Sequence, residues 1–329
     1  MSHCDNFRGL FIAVSSLVKF FLFLLIFVSS LHAQAVNSVG SCQSLFAEEY
    51  QPTDFSTSYM GQSFSNQGQY PKWAAVAANF ALTLLNRNQN FVDSLNNAFE
   101  QIAKLRSRLA LSQGSETPSE FGRRRHDTAG TNLLDYDKTS AAPPERIHLS
   151  TIIERRFDTE KSLPRRIKKR NIEAQAITNF YTALDSTVFR ASEVWQYEHI
   201  QKYESVDDGM DDPLIVEVNR TRKRYLIFHL EMDISKELEK DAMKRLNWIL
   251  ENPHESLKNR HDMFIRSMFA LYNAMSFTRG SASIAKVFLA ASYMHLFGKK
   301  IPVLPEDIDV LTMIMTEQDF IRLLEKHFS

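Results

Sequence analysis

The stretch Ser276-Phe277-Thr278-Arg279-Gly280-Ser281-Ala282-Ser283-Ile284 separates two apolar, helix-patterned segments with an arginine, a glycine and serines. A helix that starts here presents free backbone amides and the positive end of its dipole, a combination that holds anions. Gly280 admits a positive φ or the close approach of a ligand, and Ser281 is a favoured N-cap. The amides of Ala282, Ser283 and Ile284 then face outward, with Arg279 and Lys286 adding charge. A guanidinium binds phosphate or carboxylate in bidentate fashion. The candidate ligand-binding residues are therefore Arg279, Gly280, Ser281, Ser283 and Lys286. The competing reading is a capped turn between core helices, with Arg279 solvated or paired to Glu306 or Asp307.

Other chemistry is sparse. His254 and His261 share an apolar face with Phe264 and Met268, without the i,i+4 partner or Cys/His pair that zinc requires. His261 is the catalytic candidate, as a general base, but roughly four to five helical turns separate it from Arg279. A buried, hydrogen-bonded histidine is the commoner outcome for such a position. The acidic patch Glu204, Asp207, Asp208, Asp211 and Asp212 lacks the ordered ligand spacing of a calcium loop. No G-x-S-x-G, H-E-x-x-H, P-loop or G-x-G-x-x-G motif is present. Neither a metal nor a cofactor is assigned.

The elements that must position the break are mostly helices. Glycine and proline number ten each in 329 residues, below the usual roughly 7% and 5%. Long helices with few tight turns account for this. The opening resembles a secretory leader: an apolar run from Phe20 to Val28, then small residues in an A-x-A arrangement at Ala33 and Ala35. The signal peptide is placed at 1–35, with cleavage near Ala35 and a secreted or periplasmic destination. An uncleaved leader would be the only route to a membrane. Cys4 leaves with that leader, so Cys42 has no intrachain disulfide partner. Lys and Arg balance Asp and Glu at 39 each, which argues against global steering toward nucleic acid.

Residues 36–70 form a polar, unpatterned lead-in. Residues 71–112 read as a helical hairpin, its seams running through Trp73, Ala77, Phe80, Ala81, Leu84 and Leu85 and then Phe91, Leu95, Ala98, Ile102, Leu105 and Leu109. Such faces also suit a protein partner. Residues 113–171 read as a basic flexible linker, with runs at Arg123–Arg125 and Arg165–Arg170 but few aromatics to stack on bases. Residues 172–329 read as the helical C-terminal domain. Its first helix is expected from Ile172 to about Tyr203, and one β-hairpin at 214–230. Gly298 and Thr316 read as a helix stop and a helix cap. The expected fold is mainly α: a helical hairpin plus a larger C-terminal helical domain with one β-hairpin.

The order hairpin, helix, helix, polar loop, helix from Leu214 to Phe297 resembles the core of Fic-type (Fido) proteins. Their loop, H-x-F-x-[DE]-G-N-G-R, binds nucleotide phosphates between two helices. Here Phe277 and Gly280 match, the first as apolar anchor and the second in the anion-binding turn. Met275 stands where the catalytic histidine belongs, Arg279 replaces the metal-binding acid and Ser283 replaces the arginine. The resemblance implies a phosphate site that has lost the usual transfer machinery. Three functions follow as expectations. The leading one is an exported helical protein of effector or interaction type that binds an anionic ligand, a small molecule or a phosphorylated group. The others are a divergent Fic-like transferase using a nucleotide, and a structural helical module that oligomerises.

Overall fold

The computed structural model describes residues 49–55, 69–86, 90–125, 147–167, 172–198, 215–217, 223–228, 231–305 and 307–328. All but Glu49 belong to one unit, Tyr50–Ser329. The expected leader, Cys42, the acidic patch at 204–212 and the turn of the 214–230 hairpin lie outside the described residues. None of the described helices is long and apolar enough to cross a membrane.

The fold is mainly α, with a helical hairpin and a larger helical body. The hairpin consists of α1 (Gln69–Leu85) and α2 (Phe91–Ser112). Asn90 caps α2, its side chain accepting from Val92 N at 3.0 Å. The body contains α3 (Ile147–Thr159), α4 (Met232–Glu251), α5 (Leu257–Ala274), α6 (Ser281–Phe297), α7 (Ile308–Ile314) and α8 (Glu317–Phe328). Helix α6 is apolar nearly all round, the mark of a helix enclosed by neighbours. It packs against α1, α2, α4 and α5. Gly298 ends it with φ +68°, and Thr316 Oγ1 caps α8 by accepting from Asp319 N at 3.1 Å.

The sheet is larger than the sequence suggests. Among the described residues five antiparallel strands, β1 (Leu163–Ile167), β2 (Ile172–Thr182), β3 (Val188–Glu198), β4 (Ile215–Glu217) and β5 (Lys223–Phe228), lie in the order β1-β2-β3-β5-β4. The expected hairpin is present as β4–β5. The expected helix from Ile172 to about Tyr203 is, over the described residues 172–198, instead the β2–β3 hairpin. The apolar residues that recur there at steps of three and four do not share a face: Ile177 and Ala191 are buried, whereas Phe180, Leu184 and Val188 are exposed, and a bulge shifts the register between Thr178 and Phe180. At the turn, Ser186 takes φ +69° and Asp185 accepts from Thr187 N at 3.0 Å. A helix cannot continue through that geometry.

The expected flexible linker at 113–171 is also corrected where it is described. It holds α3, β1 and an ordered segment, 113–125, laid across the hairpin and the Ser276–Gly280 loop. The reason is charge matching from far along the chain. Arg124 pairs with Glu100 and Glu239, and Arg165 with Glu193 at 2.8 Å. Basic runs read as solvated when such distant partners cannot be seen. The end of the lead-in is likewise docked: Tyr50 and Phe55 are buried, and the Tyr50 hydroxyl donates to Ala290 O at 2.7 Å.

Candidate functional site

The break between α5 and α6 is a built turn. Met275 leaves α5 with φ +43°, and Gly280 enters α6 with φ +82°. Gly280, not Ser281, is the N-cap, and it makes no side-chain cap. Ser281 instead staples the turn: its hydroxyl accepts from Phe277 N at 3.0 Å and donates to Phe277 O at 2.9 Å. The Ile284 amide is used within the helix, bonding Gly280 O at 3.0 Å. The amides of Ser281, Ala282 and Ser283 have no intrahelical acceptor, as at any helix start.

Segment 117–125 covers this turn by short β-bridges, Phe121 beside Arg279 and Arg124 beside Phe277. Gly122 N donates to Arg279 O at 3.1 Å, Thr278 N to Arg123 O at 2.9 Å and Arg125 N to Ser276 O at 3.2 Å. Arg124 locks the crossing. Its guanidinium lies 4.7 Å from the Phe277 ring centroid while pairing with Glu100 and Glu239. Arg279 is half-exposed and turns toward the segment, donating to Thr117 Oγ1 at 3.0 Å and standing 3.9 Å from Glu120. A carboxylate far upstream in the chain thus stands within reach of it.

The residue the sequence reading missed is Arg106, on α2. Its side chain crosses the start of α6, with Cγ 3.2 Å from where a Cβ on Gly280 would stand. Glycine is needed there for space as well as for its positive φ. Arg106 Nε donates to Ser283 Oγ at 3.2 Å, and that hydroxyl donates onward to Gly280 O at 2.8 Å. The guanidinium is sandwiched by aromatic rings, 4.6 Å from Phe121 and 5.7 Å from Trp73. It forms no ion pair among the described residues, and Nη1 is buried without a hydrogen-bond partner. Burial holds the Arg106 guanidinium below its ordinary pKa; nearby Tyr70 opposes that fall and Arg279 adds to it. A buried donor left unmade costs about 1–3 kcal/mol, more for a charged one. Two arginines and a helix N-terminus share this corner with one carboxylate, Glu120, which leaves positive charge in excess among the described residues. Nothing short of the packed structure could have found Arg106, because in sequence it is one arginine in a helical seam.

The other expected site residues lie apart or are engaged. Lys286 sits further along α6, half-buried and already engaged. His254 is exposed in the turn before α5, whose N-cap is Ser256. His261 is buried near the opposite end of α5 from the break, 3.1 Å from the Tyr293 hydroxyl and ringed by Phe297 and Phe328 at 4.9 and 5.4 Å. The structure does not bring it to Arg279. Met275 is buried and offers only its carbonyl, which accepts from Arg125 Nη1 at 3.3 Å. A separate cleft of about 550 Å³ opens beside α3, β2 and α8, but its Arg156 and Arg266 already pair with Glu160 and Glu317. Among the described residues no cluster of His, Cys, Asp and Glu has the grouping a metal ion needs.

No protein-family model matches this chain, and no curated protein matches it significantly. The class the fold and site define is therefore a physical one: a mainly α protein with an electropositive corner at a buried helix start.

Proposed function

We propose that this is an interaction-type protein that binds an anionic group, phosphate or carboxylate, at the start of α6. The observation that carries the reading is Arg106. It lies over a helix N-terminus beside Arg279, with a buried Nη1–H that has no acceptor among the described residues. An anion placed there takes charge-assisted bonds from both guanidiniums and from the free amides of α6. The apolar run and A-x-A leader support export as part of the reading. Val76 and Phe80 on α1 and Leu111 on α2 are exposed, and they support a protein partner on the hairpin. Binding rather than group transfer is favoured by Met275, a side chain that cannot titrate, at the position where the resembled loop carries its catalytic histidine.

Calorimetric titration of the full chain with inorganic phosphate, acetate and a phosphoserine peptide tests this. The expected result is saturable binding of at least one of them. Arg106→Gln weakens it roughly 10–100-fold and Arg279→Ala by less, because Arg279 already has Glu120. Absence of binding by all three, or binding indifferent to both substitutions, would overturn the reading.

A further inference from the structure

Two more buried donors stand on the α1 side of Arg106. Tyr70 is 7% exposed and its hydroxyl has no hydrogen-bond partner among the described residues; Trp73 Nε1 is buried and equally unpartnered among them. The three side chains are contiguous. The Tyr70 and Trp73 ring centroids are 5.6 Å apart, and the Arg106 guanidinium lies 5.7 Å from the Trp73 ring. Tyr70 and Arg106 also act on each other electrostatically, and burial raises the Tyr70 pKa so that the phenol keeps its proton. An indole N–H and a guanidinium can only donate, and the phenol is free to do so. Native interiors rarely leave neighbouring polar groups unpaired, and three together point to a missing acceptor.

We propose that the ligand held at this corner is a tetrahedral oxyanion, phosphate or a phosphomonoester, which reaches Arg106, Tyr70 and Trp73 at once. This rests on the anion-binding reading above and narrows it. A carboxylate offers two oxygens in one plane, which suits donors that arrive from one side. A phosphoryl group has oxygens left for the phenol and the indole. Asp309, on α7, lies within electrostatic reach of Tyr70 and adds to the rise in its pKa, which keeps the phenol a donor.

The experiment compares the full chain with Tyr70→Phe and Trp73→Phe by calorimetry and thermal melts, using inorganic phosphate, a phosphoserine peptide and acetate as probes. Expected are tighter binding of phosphate than of acetate, and a loss of about three- to tenfold in phosphate affinity for each variant. The ligand-free melting point of Tyr70→Phe should hold or rise, because an unpaired buried hydroxyl is removed. Tighter binding of the peptide than of free phosphate assigns the site to phosphorylated side chains, and the reverse order assigns it to free phosphate; either supports the proposal. Phosphate bound equally well by both variants, or acetate bound as tightly as phosphate, overturns this proposal and leaves the anion site standing. A ligand-free Tyr70→Phe protein that melts much lower overturns it too, since the hydroxyl then belongs to the scaffold. Failure of every probe to bind the unaltered chain removes the broader reading as well.

Discussion

Arg106 Nε donates to Ser283 Oγ at 3.2 Å, tying the second helix of the hairpin to the first turn of α6 across 177 residues of sequence. Ser283 passes the bond on to Gly280 O at 2.8 Å. This one hydroxyl therefore sets both the shape of the turn and the position of the guanidinium above it.

Ser283→Ala should accordingly cost stability and aim Arg106 less well. Losing the shared hydroxyl leaves Arg106 Nε without its acceptor, for about 1–2 kcal/mol. A fall in melting temperature of roughly 2–4 °C is expected for a unit of this size. A variant that melts like the unaltered chain would show that the bond is not formed in solution.

Gly122 is the tightest point of the crossing segment. Its φ is +70°, and a Cβ there would lie 2.1 Å from the Ala103 carbonyl oxygen of α2. A helix carbonyl cannot yield without breaking its own ladder, so Gly122→Ala should lift the segment away. The expected cost is about 2–4 kcal/mol, from backbone strain together with overpacking. Trypsin reads it out directly. Arg124 is clamped by Glu100 and Glu239 and Arg125 is buried, so cleavage in this run should be slow in the native chain and many-fold faster in the variant. Equal rates would mean that the segment is already loose.

What the sequence made legible follows from locality. The helical seams of α1 and α2, the β4–β5 hairpin, the Gly298 stop and the Thr316 cap each depend on residues within a turn or two of one another. The β2–β3 hairpin was hidden because Ile177, Phe180, Leu184 and Val188 fall by chance at helical spacing, although only Ile177 of the four is buried. The break at 276–284 was visible as a turn with a helix start, but its electrostatics were not. Arg279 finds Glu120, Arg106 arrives from α2, and Arg124 draws on Glu100 and Glu239. Each of these pairings joins residues remote in the chain, and no local pattern encodes them.

A buried polar knot joins the sheet to the helical body. Asp241 on α4 accepts from the Tyr181 hydroxyl, from Leu184 N at 2.9 Å and from Arg245 Nε at 2.8 Å. Arg245 also donates to Thr182 O at 2.6 Å. Both charged side chains are more than nine-tenths buried. Asp241→Ala would leave the guanidinium without its counter-charge, and the Leu184 amide would lose its acceptor. Such a broken pair costs about 3–5 kcal/mol. The urea midpoint should fall accordingly, while Asp241→Asn, which keeps an acceptor oxygen, should fall less. A loss under about 1 kcal/mol for the alanine variant would be within the range of ordinary surface changes and would deny the knot its structural role.

The histidines give the protein an acid-sensitive side. Burial, then the charge of Lys299, holds the His261 imidazole below its ordinary value, and burial does the same to His295. In the unfolded chain both take up a proton near pH 6.5. The folded chain resists that uptake, so the unfolded state binds more protons as the pH falls through that value, and stability falls with it. The contribution is fully present above about pH 6.5 and is lost as the pH drops toward the lower folded values. Urea midpoints at a series of pH values between 7.5 and 5 should therefore decline toward acid. His261→Phe should flatten that decline while lowering the midpoint at pH 7.5, because the Tyr293 hydroxyl loses its ring-nitrogen partner at 3.1 Å. A pH slope identical in the variant and the unaltered chain would mean that His261 protonates within the fold as readily as outside it.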